Sequence, residues 1–165
     1  MSISLYDHQR SALEKMKNGC ILCGGVGSGK SRTALAYYYL QQGGNLDIPD
    51  GPMKNPLDIY IITTARKRDT CEWENELAPF LLSTHEDCNY YKNKVIIDSW
   101  NNIGKYKDVK NSFFIFKVII DKGKSCQNTG QHFEYCYERS NEKCIIDISK
   151  PVSYTHLTLP TTSRV

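Results

Sequence analysis

One stretch limits what this chain can fold into more than any other: Gly24-Gly25-Val26-Gly27-Ser28-Gly29-Lys30-Ser31. Glycines at 24, 25, 27 and 29 free the backbone for conformations that a Cβ forbids. Successive N–H groups can then turn inward on one anion. Lys30 sets a compact positive charge beside it. The Ser31 hydroxyl is an oxygen ligand of the kind a hard cation prefers. The flanks suit such a loop. Cys20-Ile21-Leu22-Cys23 is a short apolar run that reads as a buried strand. Residues Ser31 to Gln42 carry Ala34, Leu35, Ala36 and Leu40 with no Gly or Pro, which predicts a helix. A helix N-terminus at the loop adds the positive end of its dipole.

The spacing matches G-x-x-x-x-G-K-[ST], the phosphate-binding loop of P-loop NTPases, between the strand and the helix that the motif requires. That resemblance implies ATP and Mg²⁺ as cofactors. Gly24, Gly25, Val26, Gly27, Ser28, Gly29, Lys30, Ser31 and Arg32 would hold the nucleotide. Lys30 would act as the catalytic cation and Ser31 as a Mg²⁺ ligand.

The 165 residues suit one domain, and 40% of them are hydrophobic, enough for a sizeable core. The net charge of +3 permits an acidic partner without demanding one. No apolar run approaches the ~20 residues of a membrane span. No basic segment followed by an apolar stretch opens the chain, so no secretory signal is visible. A cytoplasmic setting, bacterial or phage-infected, is expected, where seven cysteines stay as free thiols. Cys20 and Cys23 form a C-x-x-C, but within the strand feeding the loop they read as small buried side chains. Cys126, Cys136 and Cys144 have irregular spacing and suggest no metal.

Ahead of the loop, Asp7 is expected to cap a helix running to about Lys17, with Ala12, Leu13 and Met16 on one face. Tyr6, His8 and Gln9 stand at its start. After the loop's helix, a Pro- and Gly-rich stretch (Leu46 to Pro56) reads as a connection. Asp58 to Thr63 is a β-branched strand. Thr64, Arg66, Lys67 and Arg68 follow it, then a helix with Trp73, Glu74, Glu76 and Leu77 that stops at Pro79. Donors and positive charge at the end of a strand suit phosphate contacts. A third strand, Lys94 to Ile97, leads to Asp98, Ser99 and Trp100; Trp100 serves either as core or as a stacking surface for a base.

Taken in order, these elements resemble the first RecA-like domain of a superfamily-2 DEAD/DEAH-type helicase, of the kind found in bacteriophages and mobile elements. The resemblance covers Leu5 to Phe116. It implies a doubly wound, mostly parallel sheet with flanking helices, in line with the alternating strand–helix pattern. It also implies that Gln9 reads the adenine edge while Tyr6 stacks on the base. Thr64, Arg66, Lys67, Arg68, Ser99 and Trp100 would contact nucleic acid, DNA in preference to RNA. Ala65 stands where that family usually has proline. A full helicase of this type also needs a second RecA-like domain.

The later part departs from the pattern. Phe113 to Phe116 reads as the strand after which an Asp-Glu pair is expected, yet Lys117 follows. Val118-Ile119-Ile120 offers a second strand ending in Asp121, a candidate Mg²⁺ ligand, with Lys122 where a water-activating Glu belongs. Gln131 to Arg139 reads as a short helix and Cys144 to Pro151 as a strand. Val152 to Thr161 resembles the conceptual translation of a sequencing-library adapter. The expected organisation is therefore a truncated RecA-like ATP-binding domain over 1–116, a frame-shifted or degenerate continuation over 117–151, and a disordered non-native tail over 152–165. Three functions stay open: the ATP-binding part of a helicase with little turnover of its own, a different P-loop NTPase, and a non-catalytic nucleic-acid-binding module.

Overall fold

The computed structural model of the chain describes residues 3–24, 27–48, 51–120, 131–139 and 156–158. The elements in chain order are α1 (Asp7–Lys15), β1 (Ile21–Gly24), α2 (Lys30–Gln41), β2 (Asp58–Thr63), α3 (Ala65–Asp69), α4 (Glu72–Leu77), β3 (Val95–Ser99), β4 (Ser112–Ile120), β5 (Gln131–Arg139) and β6 (His156–Thr158). A 3₁₀ stretch, Trp100–Tyr106, follows β3.

The strands form one sheet in the order β3-β2-β4-β5-β1-β6. β2 runs parallel to β3 and β4, and this three-stranded parallel unit with its helices is the α/β layering expected from the sequence. β5 runs against both β4 and β1, so the sheet as a whole is mixed. β6 joins β1 in parallel. Two successive antiparallel pairings leave β1 and β4 pointing the same way. The C-terminal ends of β1, β2, β3 and β4 therefore share one edge, where open α/β sheets bind ligands.

The period-two alternation of strands divides the core. Ile59, Ile61, Phe113 and Ile115 face the helical side, with Leu35, Tyr38, Leu77 and Phe80. Tyr60, Ile62, Phe114 and Phe116 face the other side, where Ile96, Trp100, Ile103 and Tyr106 pack against them. Phe114 stacks on both Tyr60 and Phe116, with ring centroids 5.0 and 5.6 Å away. Residues Thr33 to Tyr39 of α2 are buried without a break, as in a helix enclosed on all sides. Two of its tyrosines are satisfied at their polar tips: Tyr38 donates to the Leu57 carbonyl, and Tyr39 sets its one hydroxyl hydrogen between the carbonyls of Asn45 and Gly51.

Several expectations are corrected. Gln131–Arg139 is a strand and not a helix. Its sequence alternates, with Phe133, Tyr135 and Tyr137 at every second place, a strand signature. Phe113–Phe116 and Val118–Ile120 are one strand, because Lys117 does not interrupt the period of two. Tyr6, not Asp7, is the N-cap of α1, and the helix ends at Lys15. Asp121 and residues 140–155 lie outside the described residues, as does all of the tail except 156–158.

Candidate functional site

The glycine loop runs from the end of β1 to the start of α2; Gly25 and Val26 within it lie outside the described residues. Gly27 and Gly29 have φ of 80° and 75°, the left-handed region that side chains avoid. At Gly29 a second constraint applies, because a Cβ there would lie 2.1 Å from Gln9 Nε2.

The carbonyl of Gly29 is the joint of the site. It accepts from Gln9 Nε2 at 3.1 Å, from Thr33 Oγ1 at 3.0 Å and from the Thr33 N–H at 3.0 Å. Gln9 Oε1 in turn accepts from the Tyr6 N–H at 2.8 Å. One side chain thus ties the N-cap of α1 to the start of α2. His8 Nε2 lies 3.3 Å from the Ser28 carbonyl, a second link between the same segments. Tyr6 is 72% exposed and stacks on the His8 ring at 5.6 Å, leaving an open aromatic surface beside the loop.

Lys30 begins α2 and is 6% exposed, with its Nζ donating to Ser28 Oγ at 3.3 Å. A buried ammonium is costly unless an anion or a set of acceptors balances it. Arg32 points elsewhere and pairs with Glu76 of α4 at 3.1 Å. Ser31 is reached from the sheet, since Lys117 of β4 donates to its Oγ at 3.0 Å. The Lys117 ammonium also sits 5.5 Å from the centre of the Trp73 ring. A hydroxyl facing an ammonium is a poor fit for a divalent cation, whose charge the ammonium repels. Among the described residues no group of three or more His, Cys, Asp or Glu side chains is placed to hold a metal.

Comparison with family models, curated proteins and solved structures returns no match. The chemistry of the site therefore rests on its own geometry.

The residues expected to meet nucleic acid lie on the same sheet edge. Thr64 caps α3, its side chain accepting from the Lys67 N–H. Arg66 is exposed. Lys67 pairs with Glu72, and Arg68 pairs with Asp69 at 2.7 Å and Asp98 at 3.4 Å. Ser99 is buried. Trp100 is half-buried, stacks on Phe116 at 5.6 Å, and donates from Nε1 to the Lys117 carbonyl at 2.8 Å. Asp98 collects four donors: Tyr106 Oη at 2.6 Å, Asn102 Nδ2 at 2.7 Å, the Ser99 N–H at 2.7 Å, and Arg68. Burial opposes its ionisation, but these donors outweigh that cost and hold its pKa down at about 2. Burial together with Asp98 pushes the Tyr106 phenol up to about 12.

Thr33, His8 and Lys117 take parts that the sequence reading does not assign. Thr33 had a usable signal, four residues beyond Gly29 on the helix that follows. Lys117 had none, because it meets Ser31 across 86 residues. Among the described residues no helix is long and apolar enough to cross a membrane. Cys20 is buried, and Cys71 and Cys88 are exposed free thiols.

Proposed function

We propose that the chain is the ATP-binding portion of a nucleic-acid-dependent ATPase of helicase type, with a RecA-like arrangement of P-loop, sheet and flanking helices. In this reading the loop Gly24–Ser31 encloses the phosphates and Lys30 neutralises the β/γ oxygens. Turnover by the chain itself is slow, because Lys117 occupies the strand position where the metal-binding acid is expected. The carrying observation is the buried Lys30 at the N-terminus of α2, framed by two left-handed glycines. An ammonium so placed, with helix N–H groups around it, favours a multiply charged anion.

Tyr6 and Gln9 support adenine as the base. The Gln9 amide offers an acceptor and a donor together, as adenine's edge requires. Each end makes one bond to the protein, which leaves a second Nε2 hydrogen and a second Oε1 lone pair for the base. The nucleic acid would lie at the edge formed by Thr64, Arg66 and Trp100, with Lys67 and Arg68 partly neutralised by their carboxylates.

Competition of ATP and GTP for the site tests this reading. ATP is expected to displace a labelled nucleotide better than GTP, with Gln9→Ala abolishing the preference. Equal displacement by both nucleotides in the wild type contradicts adenine reading.

A further inference from the structure

The contact between Lys117 and Ser31 carries more than a missing acid. An ammonium has three donors and no acceptor, and one of them is directed at Ser31 Oγ at 3.0 Å. The side chain is held there from two directions. Its backbone belongs to β4, where Lys117 shares a face with Phe113 and Ile115, and its cation rests over Trp73. A second positive charge therefore stands beside the loop, at the hydroxyl where a divalent ion would bind. On the neighbouring strand Thr63 follows Ile62 as Lys117 follows its register partner Phe116. Thr63 lies on the same face, is fully buried, and its Oγ1 has no hydrogen-bond partner among the described residues. A buried hydroxyl without a partner is costly and suits a ligand oxygen or a water.

We infer that Lys117 serves as a built-in cation and that the site takes nucleoside triphosphate as the free, metal-free anion. This rests on the nucleotide-binding reading given above. Lys30 and Lys117 then bracket the phosphates from the loop and from the sheet. A divalent ion on Ser31 would have to displace the ammonium and bear its repulsion at close range. The site prefers uncomplexed ATP to its magnesium complex for this reason.

Equilibrium binding of ribose-labelled fluorescent ATP, measured in excess chelator and in excess Mg²⁺, tests the inference on the full chain. Wild type is expected to bind more tightly in chelator than in Mg²⁺. Lys117→Met should lose about tenfold in metal-free affinity, in keeping with one partly screened charge pair, and Lys117→Arg should retain it. Lys117→Asp should bind only with Mg²⁺. Equal or weaker wild-type binding in chelator overturns the inference, as does a folded Lys117→Met with unchanged metal-free affinity. Absence of wild-type binding in both buffers removes instead the nucleotide-binding reading on which it rests.

Discussion

Three hydrogen bonds converge on the carbonyl of Gly29, and they explain why this residue carries two constraints at once. Its φ of 75° disfavours any side chain, and its missing Cβ leaves room for Gln9. Gly29→Ala is expected to swing Gln9 out, at a combined cost of about 2–3 kcal/mol from left-handed strain and one lost hydrogen bond. Urea unfolding of the variant measures that cost, and an unchanged midpoint contradicts it. The glycine pattern made the loop legible in the sequence, because its spacing reflects backbone needs local to eight residues. The Gln9 link was legible only in part. Sequence placed the amide near the nucleotide, whereas its bond to the loop's own backbone depends on how α1 packs against α2.

Among elements, the segment from β3 to the 3₁₀ stretch is held by one carboxylate. Asp98 gathers Tyr106, Asn102, Arg68 and the Ser99 N–H. Its pKa falls from 3.8 to about 2 on folding. A depressed carboxylate stabilises the fold above its unfolded pKa and loses that contribution as pH falls through its folded one. Between about pH 4 and pH 2 the protein should therefore lose roughly 2 kcal/mol through this group. The difference between wild type and Asp98→Asn isolates it from other carboxylates. That difference should shrink as pH falls through this window, and a pH-independent difference in unfolding free energy contradicts the assignment. Strands β2 and β3 were legible because they are rich in β-branched residues. β5 was misread as helix although its aromatic residues alternate, since Glu134 and Cys136 between them and the polar residues at both ends hid the period. β4 was read as two short strands because Lys117 looked like a terminator; its place in a strand depends on period, not on polarity.

For the molecule as a whole, the parallel β3-β2-β4 unit and the co-directed β1 bring the glycine loop, Thr64, Ser99 and Lys117 to one sheet edge. Alternation of strands and helices foretold that convergence. It could not foretell that β5 would enter between β1 and β4 in the opposite sense, because no local pattern encodes strand neighbours. Nor does any local pattern encode the bond between Lys117 and Ser31. The loop that opens the sequence reading is thus supported from three sides: by Gln9 of α1, by Thr33 of α2 and by Lys117 of β4. Titration of the full chain with ATP, compared between wild type and Lys30→Ala, bears on this most directly. The expected result is saturable binding of one ATP per chain that weakens by about tenfold or more in a folded Lys30→Ala, as loss of a partly buried charge contact implies. Wild-type protein that binds no ATP, or a folded variant that binds it equally well, would contradict a nucleotide site at Gly24–Ser31.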